Sequence, residues 1–224
     1  MFDSLRLCDL PDKHRAVLRH SSSTRPVIWL VEENGIRAVV KDFSVNGFLY
    51  RNIAGRFLIW REEKAYRRLK NVKGVPALYR VIDGIALVTE EIPGKSLENL
   101  EKEIQLDAEF FHALKRLVDK FHERGIAHCD LKRAPNFILG EDGLPYIIDW
   151  AASISESEFG FFPLNKIYRR FLLDDYMAIT KLKLRHIPEE VTREEKSSYD
   201  NRGGLEKVVR SIRDRLRELL QKIA

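Results

Sequence analysis

The sequence predicts an α+β fold in which a strand-rich first part precedes a mainly helical second part. In the first part, two pairs of strand-forming segments each flank a turn signal, and one helical pattern lies between the pairs. After residue 92, apolar residues recur at helical intervals instead. We therefore expect a single domain over residues 1–224, with an antiparallel sheet and one helix in a first lobe, residues 1–92. The second lobe, residues 93–224, is expected to be short and mainly helical.

The first lobe contains two predicted hairpins separated by a helix. Residues 27–31 and 36–43 are rich in β-branched and aromatic residues, and the turn-prone EENG between them predicts the first hairpin. Asp83 and Gly84 predict a tight turn between ALYRVI and IALVTEEI, which form the second hairpin. Apolar residues at helical spacing predict the helix within residues 55–72.

The second lobe is predicted to be built from helices. The segment SLENLEKEIQLDAEFFHALKRLVDKFHERG places apolar residues on one helical face. These residues are Phe111, Leu114, Leu117, Val118 and Phe121. A second helix is predicted through DDYMAITKLKLRH, after a poorly patterned segment at 151–166, and TREE at 192–195 has the spacing of a capping box. Apolar residues between 205 and 223 predict an amphipathic tail.

Composition and charge limit the classes of function. The chain has 224 residues, of which 44% are hydrophobic and 33% charged, as in ordinary globular domains. The N-terminus lacks a secretory pattern and no segment reaches the roughly 18 apolar residues of a membrane span, so we expect a cytoplasmic protein. Cys8 and Cys129 have no metal-ligand spacing. The net charge of +5 is compatible with ATP, a phosphorylated glycolipid, RNA or an anionic membrane surface.

The most informative stretch is GIAHCDLKRAPNFILGEDGLPYIIDWAAS, residues 125–153. It places Asp130, Asn136 and Asp149 among apolar residues, where unpaired polar groups are unfavourable, so the pattern predicts a binding site. Phosphoryl transfer from ATP requires a carboxylate near the acceptor hydroxyl, oxygen ligands for Mg²⁺ and a cation at the phosphates. With Lys132, the stretch contains all three kinds of group.

The order of these residues resembles the protein kinase-like superfamily. HCDLKRAPN resembles the catalytic loop of that family, and IIDWA resembles its metal-binding segment. The resemblance implies a two-lobed kinase fold in which Asp130 accepts or orients the hydroxyl proton. It implies that Lys132 contacts the transferred phosphate and that Asn136 and Asp149 hold Mg²⁺. His128 would brace the loop from within the core.

Motifs in the first lobe extend the resemblance. AVVKDF resembles the third-strand lysine motif, which implies that Lys41 binds the α- and β-phosphates of ATP. Its expected partner is Glu62 rather than Glu63, because apolar residues follow Glu62 at offsets of three, four and seven. LVTEEI falls where the hinge between the lobes is expected. The implied adenine contacts are Thr89 as gatekeeper, the backbones of Glu90 and Ile92, and Val39 and Ile138 on the two faces of the base.

Several departures from the kinase pattern concern loops. RHSSSTRPV, before the first hairpin, contains no glycine; its serines and Thr24 predict either a phosphate-binding nest or a flexible linker. Asn136 lies one residue further from Asp130 than in the kinase pattern. Asp149 is followed by Trp and Ala in place of Phe and Gly, and no APE motif follows.

These departures resemble those of two subgroups of the superfamily. The short second lobe, the glycine-free loop and HCDLKRAPN resemble RIO-type atypical kinases and, more closely, bacterial lipopolysaccharide core kinases, which phosphorylate heptose or Kdo sugars. Asp175 in DYMAITKL resembles the buried aspartate that anchors the catalytic loop backbone. A helix N-terminal acid favoured by the helix dipole is the alternative for Asp175.

Three classes of function remain open at this point. The favoured class is an ATP- and Mg²⁺-dependent kinase that acts on a lipopolysaccharide inner-core sugar or on a protein Ser or Thr. A pseudokinase would bind nucleotide or a partner without turnover. A basic nucleic-acid or membrane-associated adaptor would use residues 205–223. We expect no specific nucleic acid partner, whereas peripheral association with an anionic membrane surface is compatible with the charge.

Overall fold

The computed structural model describes residues 1–100 and 104–200. The protein is α+β, with a five-stranded antiparallel sheet and several helices. Within the described part, the chain divides into two compact units, residues 1–64 with 77–91 and residues 65–76 with 92–200. No helix in this described part is long and apolar enough to cross a bilayer.

The first unit contains the five-stranded sheet and the helices that follow β3, except for the last turn of the third helix, which belongs to the second unit. Its elements are α1 (Leu10–Lys13), β1 (His14–Arg19), β2 (Val27–Glu33), β3 (Ile36–Asp42), α2 (Phe48–Tyr50), a π-helical turn (Arg51–Gly55), α3 (Arg56–Arg68), β4 (Leu78–Ile82) and β5 (Ala86–Glu90). The strand order is β1-β2-β3-β5-β4, with every neighbouring pair antiparallel.

Both predicted hairpins are confirmed. β2 pairs with β3 through a turn at Asn34 and Gly35, with φ values of 53° and 78°. β4 pairs with β5 through Asp83 and Gly84, with φ values of 51° and 68°. Positive φ at both central residues is what a two-residue hairpin turn of the favoured twist requires, and Asn-Gly and Asp-Gly provide it at low cost.

One strand of the sheet was absent from the sequence prediction. β1 lies at the edge beside β2, and none of its residues is fully buried. Its sequence, HRAVLR, contains two arginines and a histidine, and charged side chains of this kind are typical of an exposed edge strand. Without a buried face, the segment lacks the apolar alternation by which strands are detected.

One face of this sheet packs against the N-terminal segment. Ala38 and Val40 of β3 are fully buried in that core, together with Phe2 and Leu10. Because successive side chains of a strand point to opposite faces, Val39 and Lys41 lie on the other face.

The second unit combines helices with five short strands. Its elements are β6 (Gly94–Ser96), α4 (Leu97–Leu100), α5 (Ala108–Glu123), β7 (Ile126–Ala127), β8 (Phe137–Gly140), β9 (Pro145–Ile147), β10 (Ile154–Ser155), α6 (Leu164–His186) and α7 (Arg193–Asp200). β6, β8 and β9 form one antiparallel sheet, and β7 pairs with β10.

The helix predictions for the second unit hold within the described residues, with one shifted start. The five apolar residues predicted to share a face of α5 are all buried. α7 begins with the predicted capping box: the N–H of Glu195 donates to Thr192 Oγ1 at 3.1 Å, and the N–H of Thr192 donates to Glu195 Oε2 at 2.9 Å. α6 begins at Leu164, earlier than predicted, because no Gly or Pro interrupts the chain after Pro163. The amphipathic tail at 205–223 lies outside the described residues.

Residues 65–76 differ from the expected division of the chain. The sequence analysis placed them in the first lobe, whereas they group with the second unit. The N–H of Ile147 donates to the Gly74 carbonyl at 2.9 Å, and the Arg124 side chain donates to the Arg68 carbonyl at 3.3 Å. These hydrogen bonds attach the end of α3 and the following turn to the helical unit.

Candidate functional site

In the first unit, the structure brings the predicted Lys41 and Glu62 together. Lys41 lies on β3 and Glu62 in the middle of α3, and Lys41 Nζ is 2.6 Å from Glu62 Oε2. The Glu62 side chain is only 2% exposed, and burying a carboxylate is strongly unfavourable without a counter-charge. The neighbouring Glu63 is half-buried. The pair therefore fixes an ammonium group on the face of the sheet opposite the N-terminal core.

The other predicted residues of the first unit lie on the same sheet. Val39 pairs with Thr89 across β3 and β5, and Thr89 is buried. The backbone N–H of Glu90 donates to the Ala77 carbonyl at 2.8 Å, and the Glu90 carboxylate accepts from the Ala77 N–H at 2.9 Å. The prediction counted the Glu90 backbone among the adenine contacts, and the N–H of that backbone already donates to a carbonyl of the protein.

In the second unit, Asp175 anchors the predicted catalytic loop. Its Oδ2 accepts a hydrogen bond from the His128 N–H at 2.8 Å, and its Oδ1 accepts one from the Cys129 N–H at 3.0 Å. Asp175 lies inside α6, is 1% exposed and also contacts His122 Nε2 at 3.1 Å. The anchoring role that the resemblance implied for Asp175 is confirmed in these contacts.

His128 braces the loop from inside, as predicted. Its ring is fully buried and packs edge-on against Trp150, with ring centroids 4.6 Å apart. Nδ1 accepts from the Asp130 N–H at 3.3 Å, so a neutral ring carries its proton on Nε2. Nε2 then donates to the Ile148 carbonyl at 3.1 Å. One imidazole thus links the start of the loop to the residue before Asp149.

Asn136 links Asp130 to Ile148, the residue before Asp149. Its Nδ2 donates to the Asp130 carbonyl at 2.9 Å and reaches Asp130 Oδ2 at 3.5 Å. Its backbone carbonyl accepts from the Ile148 N–H at 3.0 Å. Because the amide nitrogen bonds Asp130, the amide oxygen is the atom of the Asn136 side chain that is suited to a cation.

The backbone is strained on both sides of this loop. Cys129 and Asp149 have φ values of 68° and 65°, in the left-handed region that residues other than glycine seldom occupy. Such positions cost on the order of 1–3 kcal/mol each and cluster at functional sites. In this conformation Asp149 precedes the 3-10 turn Trp150–Ala152.

Burial raises the pKa of Asp130. The guanidinium of Arg133, which lies 3.3 Å from Asp130 Oδ2, opposes this shift, and the negative charge of Asp149 adds to it. A carboxylate with a raised pKa is a better proton acceptor than an ordinary surface aspartate. Two carboxylates and an amide oxygen in one region are also hard oxygen ligands of the type that Mg²⁺ prefers.

Lys132 and Arg133 lie beside different acidic residues. Lys132 Nζ lies 3.9 Å from Asp174 Oδ1, whereas Arg133 is the cation beside Asp130. The sequence analysis did not single out Arg133, although it stands next to Lys132 in HCDLKRAPN. Its contact with Asp130 depends on the turn of the loop, which residue spacing alone does not define.

Two predicted adenine contacts lie in the second unit. Ile92 is buried, and Ile138 is half-buried on β8, where it pairs with Ser96 and Tyr146. Their roles in nucleotide binding stay predictions.

The serine-rich loop before β2 is held by hydrogen bonds. Ser22 and Arg25 exchange backbone hydrogen bonds at 3.1 and 3.3 Å. Asn46 Nδ2 donates to the carbonyls of both residues, and the Tyr50 hydroxyl donates to the Thr24 carbonyl at 2.8 Å. These contacts are not those of a flexible linker, and the phosphate-binding nest stays a prediction.

The two units thus carry two distinct polar sets. The first holds a buried lysine–glutamate pair on a sheet; the second holds Asp130, Asn136 and Asp149 around an anchored loop. No protein-family model matches the chain, and no curated protein matches it.

Proposed function

We propose that the chain is an ATP-dependent phosphotransferase of protein kinase-like fold, which moves the γ-phosphate of ATP to a hydroxyl group. One observation carries the proposal: the loop that bears Asp130 is bound through its backbone by the buried Asp175. An anchored carboxylate with a raised pKa beside further oxygen ligands is what phosphoryl transfer requires of a protein. A solvated surface turn needs no such anchor.

The residues of the second unit act on the acceptor and the metal. Asp130 accepts or orients the proton of the acceptor hydroxyl, and Lys132 contacts the transferred phosphate. Asn136 and Asp149 hold Mg²⁺ through their side-chain oxygens. When bound, the ion neutralises negative charge on the phosphates. The hydrogen bond from Asn136 to the Asp130 carbonyl supports these roles, because it fixes two of the groups relative to each other.

The residues of the first unit act on the nucleotide. Lys41 binds the α- and β-phosphates, and Glu62 fixes its position, which the 2.6 Å contact supports. Val39 and Thr89, paired across neighbouring strands, contact the adenine together with Ile138. With its N–H committed, Glu90 contributes through its carbonyl, and Ile92 contributes its backbone.

The motifs favour relatives of the lipopolysaccharide core kinases and of the RIO-type kinases. The acceptor is therefore a hydroxyl of a lipopolysaccharide inner-core sugar or of a protein Ser or Thr. Because these two acceptors differ chemically, each is supplied in a separate reaction.

The function is tested by transfer of radiolabelled γ-phosphate from ATP with Mg²⁺. Three parallel reactions contain purified lipopolysaccharide core, a generic protein acceptor, or no acceptor. Transfer to one acceptor is expected with the wild-type chain and not with Asp149→Asn, which loses a charged metal ligand.

Nucleotide binding is measured on the same samples by thermal shift. A ligand at 100 times its dissociation constant stabilises the native state by about 2.7 kcal/mol. Asp149→Asn should weaken Mg²⁺-dependent binding, whereas Asp130→Asn should preserve it. The absence of any shift over a wide range of ATP and Mg²⁺ concentrations contradicts the proposed function.

A further inference from the structure

The second unit contains an open cavity beside the loop that bears Asp130. Its volume is about 390 Å³, within the range of small-molecule sites. The cavity is lined by the loop residues after Asp130, by α4 and by one face of α6. Ala178 and Leu182 of α6 contribute apolar surface, together with Leu131 and Phe137.

The charged lining of this cavity is mostly cationic. Among the described residues, the charged lining side chains are Lys132, Arg133, Lys181, Arg185 and Glu98. Lys181 and Arg185 stand one turn apart on α6, where like charges repel and destabilise a helix. An anion in the cavity would relieve the repulsion.

The two loop cations that line the cavity lie beside acidic residues. Lys132 lies 3.9 Å from Asp174, which itself pairs with Arg170 at 3.1 Å. Arg133 contacts Asp130. Within the described part of the chain, Lys181 forms no ion pair, and the lining as a whole has four cationic side chains against the single carboxylate of Glu98.

We propose that this cavity binds an anionic group, a phosphate or a carboxylate, that belongs to the phosphate acceptor. The inference rests on the proposed function, because it uses the position of the cavity beside Asp130. Ammonium and guanidinium groups form strong charge-assisted hydrogen bonds to such anions. The apolar surface suits the ring or chain that carries the anion. The size of the cavity favours a compact group over an extended acidic peptide.

Binding is tested with inorganic phosphate and glucose 6-phosphate as probes, and with glucose as the uncharged comparison, at constant ionic strength. Calorimetry should detect both phosphates and not glucose. The double variant Lys181→Gln/Arg185→Gln should bind the phosphates about tenfold more weakly or worse, since it loses two charged hydrogen-bond donors. The matched control Arg193→Gln/Lys196→Gln removes two exposed cations of α7 and should bind like the wild type.

Further arms separate this site from the proposed nucleotide site. Lys41→Met/Glu62→Met, which removes both charges of the buried pair, should keep the phosphate binding that depends on Lys181 and Arg185. Equal phosphate affinity in the wild type and in Lys181→Gln/Arg185→Gln overturns the inference. A glutamate-rich peptide serves as an additional probe. Binding of this peptide without binding of either phosphate also overturns the inference. Cavity-dependent phosphate binding in a protein that binds no ATP refutes the proposed function and leaves an anion site unrelated to phosphotransfer.

A separate observation concerns the helical segment from α2 to α3 in the first unit. Leu49, Ile53, Phe57 and Trp60 recur at three- or four-residue intervals, and each is at least half exposed. Phe48 at the start of the segment is 71% exposed. Most large apolar side chains of a globular protein are buried, so a continuous exposed stripe of this kind indicates an interaction surface.

Cations cover the aromatic rings of this stripe. Arg51 lies over Phe48 at 5.7 Å, Arg61 over Phe57 at 5.7 Å, and Lys64 over Trp60 at 5.6 Å. An aromatic stripe bordered by basic side chains is typical of helices that lie in the interface of an anionic membrane.

We infer, independently of the anion site, that this stripe binds an anionic lipid surface. The fluorescence of Trp60 reports on lipid binding by the stripe, because the other two tryptophans, Trp29 and Trp150, are buried. Vesicles of phosphatidylcholine with phosphatidylglycerol should shift Trp60 emission to the blue and sediment with the protein, whereas pure phosphatidylcholine should not. Ile53→Ser/Phe57→Ser should abolish both effects, and the exposed control Phe161→Ser should not.

Three outcomes contradict the lipid surface. The first is the absence of co-sedimentation with anionic vesicles. The second is a lower unfolding temperature of Ile53→Ser/Phe57→Ser without any vesicle binding by the wild type, which means that a segment of the chain packs on the stripe. The third is concentration-dependent self-association that the double variant loses, which means that a second copy occupies the stripe.

Discussion

Glu62 in the first unit and Asp130 in the second are carboxylates held in opposite ways. Glu62 lies within a regular helix, is 2% exposed and has the Lys41 ammonium at 2.6 Å. Asp130 lies on a loop, its side chain is 29% exposed, and burial raises its pKa despite Arg133. The charge of Glu62 is neutralised by a close ammonium group, whereas the raised pKa of Asp130 makes its carboxylate a better proton acceptor.

The two carboxylates differ in how much they contribute to stability and to chemistry. A neutralised ion pair in the interior contributes to the placement of a cation, and breaking it leaves a buried charge behind. A carboxylate at the margin of the core contributes little to folding and is accessible to a substrate. We therefore expect substitution of Lys41 or Glu62 to lower stability as well as nucleotide binding, and substitution of Asp130 to lower turnover without lowering stability.

The largest effect is expected for turnover in Asp130→Asn. Loss of the proton acceptor should lower phosphate transfer by about 10²- to 10⁴-fold, as is typical of a positioned acid–base group. The free energy of unfolding should not fall. Initial rates and urea unfolding measure the two quantities, with Asp142→Asn on an exposed turn as the control. Full activity in Asp130→Asn contradicts the proposed mechanism.

The next effect is the loss of stability in Lys41→Met. Removing one partner of a buried ion pair costs about 3–5 kcal/mol, because the remaining charge stays in the interior. Urea unfolding at neutral pH measures the loss. The double variant Lys41→Met/Glu62→Met should recover most of it, because no buried charge remains. A double variant as unstable as the single one would show that the pair is not the cause.

A smaller loss of stability is expected for Asp175→Asn. The amide keeps one acceptor oxygen, so either the His128 N–H or the Cys129 N–H faces an NH₂ group. A buried N–H without a partner costs about 1–3 kcal/mol. Amide hydrogen exchange should show faster exchange at residues 128 and 129, with the exposed Asp12→Asn as the control. Unchanged exchange at both amides is the contrary result.

The smallest effect is a pH dependence of stability from Asp130. Because burial raises its pKa in the folded state, Asp130 contributes stability at pH below the unfolded value of about 3.9, and this contribution is lost as pH rises through the folded pKa. Asp130→Asn should therefore be at least as stable as the wild type at pH 7. The advantage should disappear at about pH 3.5 or below. A difference that is constant between these pH values contradicts the raised pKa.

The first unit was predicted largely from local sequence signals. Two turn dipeptides define its hairpins, and helical offsets identified Glu62 rather than Glu63 as the partner of Lys41. These features depend on residues close in sequence. β1 was missed because an exposed basic edge strand has no apolar alternation.

The second unit was predicted less completely because its site depends on distant contacts. The motif identified Asp130, Asn136 and Asp149, but the contact of Arg133 with Asp130 arises from the three-dimensional turn of the loop. The cavity between this loop and α6 involves Lys181 and Arg185, which no local pattern connects to the loop. Asp175 was identified only through its resemblance to a known helix.

The distance along the chain between the loop and its anchor has a consequence for synthesis. Asp175 lies 47 residues after His128, so the loop cannot be anchored until that later part of α6 has been made. At about 5–20 residues per second, translation of the intervening residues takes roughly 2 to 10 seconds. During that interval a nascent chain carries the complete HCDLKRAPN motif without its supporting aspartate. In the proposed enzyme, phosphate transfer therefore begins only after the ribosome has passed well beyond the catalytic motif.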